Sequence, residues 1–471
     1  MKALLLDDYL KSIQHTSIAV IGAGISNMPL IRLLLQNGCS VTVCDRREEA
    51  ALGETAIELK ALGAVLRTGE DYLDRLDQDL IFRTPGLMPF DPHLEAARRN
   101  GSTVTSEMEV FFSLCPCRTV AVTGSDGKTT TTTIISKLLE AAGHKVFLGG
   151  NIGRPLLCDL PQMGKSDIAV LELSSFQLHS MKCRPDVAVI TNISPNHLDK
   201  HKDYRDYIDA KSSIFSSQRE TDRLVLNRED GQTAYYESLS HSSLALFSAK
   251  GPVENGAFLD GDVLCRASGG HVTPVIDCKE ILLPGDHNVL NYLAAFAATE
   301  GLADDDCCRR VASSFTGVEH RLERVRILKG VTFINDSIGS SPSRTAAGLR
   351  ALPVKPVVIL GGYDKHIAFD GLGDDLCLMA KYAVITGATA EKIRQAIENS
   401  AYYPHSGFSF TMVDDFDEAV RTAARLSEEG DIVLLSPACA SFDRFKNFAE
   451  RGDHFKKLVM ELKDEDIGPV T

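Results

Sequence analysis

The run Thr-Gly-Ser-Asp-Gly-Lys-Thr-Thr at 123–130 constrains this chain more than any other stretch. The β-branched run at 119–123 spells a buried strand. Gly124 and Gly127 mark a turn whose backbone must come close to something. Lys128 and Thr129 open a helix predicted to run to about 142, where Gly143 supplies the stop. Strand, glycine turn and helix in this order make a phosphate-binding loop. Backbone amides and the positive helix end cradle the anion, Lys128 reaches the terminal phosphates, and the Thr129 hydroxyl can hold Mg²⁺. The strict eight-residue pattern is not met, because Val122 stands where its first glycine would be. The rival reading is an ordinary strand-turn-helix with an exposed lysine.

The length of 471 residues suggests about three domains. A formal net charge of -14 argues against non-specific nucleic-acid binding, so a phosphate ligand must meet a local basic site. Twelve cysteines lack metal-ligand rhythm and read as buried thiols in a reducing compartment. Cys439, beside a candidate site, has no evident base and reads as core. The opening apolar run is stopped by Asp7-Asp8, and no apolar run approaches membrane-spanning length. A cytoplasmic protein with no membrane partner is expected. A monomer is expected too, since no coiled-coil pattern or exposed apolar helix stands out.

Three blocks of alternating strand and helix signals follow one another. The first has a strand at 17–21, Gly22-Ala-Gly24, an apolar helix ending near Gly38, and a strand at 40–44 closed by Asp45. The second starts at the phosphate loop and adds strands at 167–173, 187–192 and 223–227, then a Gly-rich antiparallel flap over 245–283. The third has strands at 356–360, 382–386 and 431–436, with helices at 389–401 and 415–426 between them. The prediction is an α/β chain: a Rossmann-like domain at 1–114, a P-loop ATPase-like parallel sheet with a small antiparallel flap at 115–317, and a second Rossmann-like domain at 318–471.

Gly22-Ala-Gly24 with Asp45 imitates a dinucleotide fingerprint, but Asn27 occupies the third glycine position. The helix start could serve a UDP-sugar diphosphate as well as NAD. Redox chemistry would leave the loop at Lys128 without a purpose, and is rejected on that ground.

Further segments carry chemistry. Glu172 ends a strand where a Mg²⁺ beside ATP phosphates needs a carboxylate; the alternative is a solvated strand-end acid. His197, after the next strand, is either a second metal ligand or structural. Lys211, in Tyr204-x-x-Tyr207-x-x-Ala210-Lys211, reads by itself as a solvent-facing lysine.

Together these segments closely resemble the Mur ligase family, over nearly the whole chain. The carrying motifs are T-G-x-x-G-K-T, G-N-I-G with Asn151, E-L-S-S-F-Q, N-x-x-x-x-H-L-D, Y-x-x-A-K, and the Gly285-Asp-His-Asn288-Val-Leu-Asn291 run. Arg321, Asn335-Asp336-Ser337, Lys365 and the run 435–452 narrow the likeness to members that add D-glutamate. The resemblance implies ATP-dependent joining of D-glutamate to UDP-N-acetylmuramoyl-L-alanine through an acyl phosphate, a step of peptidoglycan precursor synthesis. Rival readings are another amino-acid ligase of the superfamily, including a folylpolyglutamate synthase, and a non-catalytic nucleotide-binding regulator. The run at 436–452 opposes the former, and the presence of both Lys128 and Glu172 opposes the latter.

Carried over by position, ATP binds Gly124, Ser125, Asp126, Gly127, Lys128, Thr129, Thr130, Asn288, Asn291, Arg321 and Asp336. Two Mg²⁺ ions are implied, one on Thr129 and Glu172, the other on His197 and a carbamylated Lys211. Lys128, Glu172, His197 and Lys211 form the catalytic set. The uridine diphosphate substrate is assigned to Gly24, Ile25, Ser26, Asp45, Arg46, Thr84, Gly86 and Asn151. D-glutamate is assigned to Ser340, Arg344, Lys365, Ser441 and Phe448. One departure stands out: after Asn-Asp-Ser the family's usual lysine is Ile338, so Arg344 or Lys365 must supply the charge facing a glutamate carboxylate.

Overall fold

Short aliphatic runs closed by Gly, Asp or Asn build three sheets. The computed structural model describes residues 3–24, 26–195, 200–283, 285–364 and 368–468. A first compact unit reaches Phe315 and a second begins at Thr316.

The first unit holds two sheets. Strands β1 (Ile18–Ile21), β2 (Val41–Asp45), β3 (Val65–Thr68), β4 (Leu80–Phe82) and β5 (Thr103–Thr105) pair in parallel in the order β3-β2-β1-β4-β5. Strand order reverses at β1, so the loops after β1 and β4 flank a crevice of the kind that takes ligands in open α/β sheets.

The second sheet comprises β6 (Arg118–Thr123), β7 (Val146–Gly150), β8 (Ile168–Glu172), β9 (Val187–Ile190), β10 (Arg223–Asn227), β11 (Ser243–Ser248), β12 (Gly256–Asp260), β13 (Val263–Ser268) and β14 (His271–Asp277). Its order is β14-β13-β12-β11-β10-β9-β6-β8-β7. The region predicted as a flap is continuous with this sheet: β12 pairs parallel to β11, and only β12–β13 and β13–β14 are antiparallel. The switch at β6 sends β8 to one side and β9 to the other, which gathers the loops after all three at one edge. The helix predicted after the phosphate loop is Lys128–Ala141, with Gly143 left-handed behind it at φ 86°.

The two sheets of the first unit are tied by buried polar contacts. The Arg83 guanidinium, 1% exposed, donates to Phe176 O at 3.0 Å and Ser180 Oγ at 2.8 Å. Glu107, on the helix Glu107–Leu114, accepts the Leu157 amide at 2.7 Å. Burial pushes the Glu107 carboxyl from its usual 4.5 up to about 7. The folded chain therefore holds this proton more tightly than the unfolded chain, and stability is lost as pH rises from about 4.5 through 7. Glu107→Gln removes that loss. Its melting temperature should match the parent's at pH 4 and exceed it increasingly toward pH 8, by an effect on the order of 3 kcal/mol at most. A pH-independent difference would contradict this.

The second unit carries β15 (Glu323–Leu328), β16 (Val331–Asn335), β17 (Val357–Leu360), β18 (Tyr382–Ile385), β19 (Ser409–Met412) and β20 (Ile432–Leu435), in the order β15-β16-β20-β17-β18-β19. All pairs are parallel except β15–β16. Helices Ala390–Glu398 and Phe416–Arg425 match those predicted. All twelve cysteines are free thiols. Cys439 is buried against Thr389 and burial pushes its thiol up to about 11, as a core residue requires. No helix among the described residues is long and apolar enough to cross a membrane.

Candidate active site

The phosphate loop is braced from the strand beside it. Asn192, just after β9, accepts the Ser125 amide through its backbone at 2.8 Å and the Asp126 amide through Oδ1 at 3.0 Å. The Thr191 hydroxyl donates to Asp126 O at 2.6 Å. The amides left for an anion are those of the first helical turn from Lys128, which have no partner inside a helix. The glycines are sterically required. A Cβ on Gly124 would lie 1.9 Å from Thr191 Oγ1, and one on Gly127, at φ 75°, would lie 2.4 Å from Asn291 Oδ1. Asn291 also accepts from Thr131 and donates to Asn288, so the helix Asp286–Ala298 is fixed against the phosphate-loop helix. Lys128 Nζ contacts Gly124 O at 3.1 Å and Ser125 O at 2.8 Å, at the mouth of the loop. Thr130 is half-buried on the same turn.

Glu172, 2% exposed, ends β8 beside this turn. Its carboxylate accepts the Thr129 hydroxyl at 2.7 Å and the Asn151 amide at 2.8 Å. Hydroxyl and carboxylate are hard oxygen donors that suit Mg²⁺, so these residues fit the ion the sequence implies. Gly150 is forced here too, since a Cβ would fall 2.3 Å from Glu172 O.

Lys211 corrects the expectation of a solvent-facing side chain. It is 1% exposed, on the helix Tyr204–Ser212, and donates to Gly124 O at 2.7 Å. Burial, and next the charge of Lys128, push its ammonium well below the ordinary lysine range. A neutral amine is thereby favoured, the form able to add CO₂. Tyr207, which sequence reasoning left without a role, bonds Ser125 Oγ at 2.9 Å and lies under the Lys211 ammonium. His197 lies outside the described residues.

At the first sheet, Asp45 Oδ2 accepts the Ala23 amide at 2.8 Å, which shapes the loop after β1. Arg47, not the exposed Arg46, pairs with this carboxylate and holds it below the usual carboxylate range against the opposing effect of burial. Asn27 donates to Ile21 O at 2.8 Å, so it secures the helix to the strand in place of a third glycine. Gly24 and Ser26 are exposed on this loop. Thr84 faces Gly22, where an added Cβ would lie 3.5 Å away, and exposed Gly86 follows it. Ile25 lies outside the described residues.

In the second unit the loops after β16 and β20 meet. Asp336 accepts the Ser436 hydroxyl at 2.8 Å and the Leu322 amide at 3.3 Å. Burial raises its carboxyl to about 6, with Ser436, Leu322, Arg321 and Arg344 opposing the rise. Ser441 is buried, whereas Phe448 is 38% exposed at the start of the helix Phe448–Glu461 and its carbonyl accepts the Ser337 hydroxyl at 2.7 Å. Ser340 is half-buried and its amide bonds Ile338 O at 2.7 Å. Arg344 is exposed and donates to Ile338 O at 3.3 Å, so its guanidinium stands beside the position where the usual lysine is absent. Lys365 lies outside the described residues. Arg451, which belongs to the 435–452 run that carries the resemblance but was given no role there, is 2% exposed and binds Ser337 Oγ, Ser337 O, Cys439 O and Ala440 O. It fastens the two loops together.

Comparison with known proteins accords with this arrangement. Residues 16–106 match the Mur ligase MurD-like N-terminal domain, 122–299 the Mur ligase middle domain, and 320–439 the Mur ligase glutamate ligase domain. A UDP-N-acetylmuramoylalanine–D-glutamate ligase of Acetivibrio thermocellus is 46% identical over 97% of this chain and 99% of its own length. One of the same name from Clostridium novyi is 46% identical over 96% of this chain and 98% of its own. The crystal structure of UDP-N-acetylmuramate-alanine ligase from Thermotoga maritima shares the fold, with a TM-score of 0.56 at 19% identity over 95% of this chain and 99% of that one. So does the second crystal structure of MurF from Acinetobacter baumannii, with a TM-score of 0.55 at 17% identity over 97% of this chain and 98% of that one.

Proposed function

The chain belongs to the Mur ligase family, and on that footing we propose that it joins D-glutamate to UDP-N-acetylmuramoyl-L-alanine with ATP, in peptidoglycan precursor synthesis. The observation that carries the reading is the junction of Lys128, Thr129, Glu172 and buried Lys211 around one phosphate loop.

A carboxylate resists amine attack because its leaving group would be oxide. Transfer of the ATP γ-phosphoryl group to it makes a mixed anhydride and releases ADP. The amine of D-glutamate then attacks the acyl carbon: a C–N bond forms, the C–O bond to phosphate breaks, and the amine loses a proton. Phosphoryl transfer depends on position and charge neutralisation more than on covalent help from protein. The first-turn amides and Lys128 hold the terminal phosphates. Thr129 and Glu172 would hold Mg²⁺, and Lys211, as a carbamate with His197, a second ion; these ions would neutralise charge on the transferring phosphoryl group. Asn151 orients Glu172, and Asn288 and Asn291 fix the helix behind the loop. We assign UDP to residues 1–114, ATP to 115–317 and the amino acid to 318–471.

If the carboxylate of UDP-N-acetylmuramoyl-L-alanine carries ¹⁸O, the label should appear in the released phosphate. Unlabelled phosphate would exclude the acyl-phosphate route.

For the glutamate carboxylate opposite Ile338, Arg344 and Lys365 are the assigned cations. Arg344→Ala and Lys365→Ala should each raise the KM for D-glutamate about tenfold or more, the worth of one charge-assisted contact, while KM for ATP stays unchanged. An unchanged KM for D-glutamate in both variants would remove the assignment.

A further inference from the structure

A cluster outside the phosphate-loop machinery carries a second inference. His179 follows the short helix Ser175–Leu178, His201 precedes the helix Tyr204–Ser212, and Asp206 lies on that helix. His179 Nε2 lies 2.9 Å from Asp206 Oδ1, and His201 Nδ1 lies 2.8 Å from Asp206 Oδ2. One ligand atom from each of the three residues, two imidazole nitrogens and a carboxylate oxygen, lies within 4.8 Å of the other two.

We propose that His179, His201 and Asp206 form a binding site for a borderline divalent transition-metal ion, Zn²⁺ by its ligand set, separate from the Mg²⁺ positions at the phosphate loop. Two imidazoles with a carboxylate and an open fourth position are a recurrent zinc set. Tetrahedral zinc spaces its donors by about 3.3 Å, so modest side-chain rotation admits the ion. The open position has a place to be: the His179 and Asp206 side chains are each 18% exposed, whereas that of His201 is fully buried.

The surroundings are arranged as an outer shell. His201 Nε2 lies 2.9 Å from Ser175 Oγ. A serine hydroxyl can accept or donate, so a turn of one hydroxyl lets Nδ1 change from donating to Asp206 to ligating a metal. Phe176 stacks on the His201 ring with centroids 5.5 Å apart, and Phe90 meets His179 edge-on at 5.4 Å. These rings fix both imidazole planes. Mg²⁺ strongly prefers oxygen donors and would leave this nitrogen-rich set to a softer ion. An ion here would clamp the segment that follows Glu172 to the helix that carries Lys211, and so stiffen the wall of the phosphate site.

The test is calorimetric titration of the full chain with Zn²⁺ in saturating Mg²⁺, repeated with Co²⁺ to read tetrahedral d–d absorption. The parent should bind one equivalent at this site. His179→Ala, which truncates a half-buried ring, and Asp206→Asn, which keeps the shape, should each weaken binding by more than roughly tenfold, the loss that even outer-shell changes produce. A Cys115→Ser/Cys117→Ser variant should bind as the parent does; those thiols lie 3.5 Å apart and are the competing soft ligands. No Zn²⁺ binding by the parent, or unchanged affinity in both His179→Ala and Asp206→Asn, would overturn the proposal.

Discussion

Replacement of Lys128 by alanine should lower kcat by roughly 10³-fold or more while the protein melts at nearly the parent temperature. The magnitude follows from the cost of removing one positioned cation from phosphoryl transfer, where charge stabilisation supplies most of the rate. Stability should change little because Lys128 is half-buried, with its ammonium against the loop carbonyls of Gly124 and Ser125 rather than in the core. Lys128→Arg should not restore the rate. The pocket around the loop is set by close contacts at Gly124 and Gly127, and a planar fork is wider than an ammonium. A second effect accompanies the first. Lys128 is the strongest charge holding the Lys211 ammonium down, after burial itself. Its removal should raise the pKa of Lys211 and reduce the neutral amine available to CO₂. A Lys128→Ala enzyme with kcat within tenfold of the parent would refute this account of the loop.

Lys211 itself should show the other large effect. Lys211→Ala is expected to lose kcat by roughly 10³-fold, comparable with loss of Lys128, because the proposed second metal position would lose its anion. CO₂ adds to a neutral amine: an N–C bond forms, one proton leaves, and the product is a carbamate with two oxygen donors. The burial of Lys211 and its proximity to Lys128 favour that neutral amine. Parent enzyme freed of CO₂ should therefore lose activity and regain it with bicarbonate, and intact-mass measurement under native conditions should show one added CO₂. Full activity in rigorously CO₂-free buffer would contradict the carbamate, and would leave Lys211 as a buried hydrogen-bond donor to Gly124.

Much of this fold can be read from local pattern. Runs such as Val120–Val122, Val170–Leu171 and Val433–Leu435 are fully buried and β-branched or aliphatic, so their strands stand out from the sequence. Strand β15 does not, because charges interrupt Glu323-Arg-Val-Arg-Ile-Leu at an edge position. Strand β19 is short, edge-placed and half-exposed, and its alternation, Ser409-Phe-Thr-Met412, covers only four residues. The phosphate loop and Glu172 were legible because their chemistry depends on contiguous residues and on strand ends. The burial of Lys211 was not, since it arises where a helix about 90 residues downstream meets Thr123 and Gly124, at a sequence separation of 88 and 87. The same holds for Arg451, whose partners Ser337 and Ala440 lie on two loops, and for Arg47, which local pattern cannot rank above Arg46 as the partner of Asp45. Partners brought together by sheet order leave no periodic trace in either segment.

Phosphate release by the purified chain with Mg²⁺-ATP and UDP-N-acetylmuramoyl-L-alanine, compared across D-glutamate, L-glutamate and no amino acid, tests the central claim most directly. Sustained release is expected with D-glutamate alone, even though Ile338 replaces the usual lysine. Sustained release with L-glutamate instead, or none with either isomer, would contradict it.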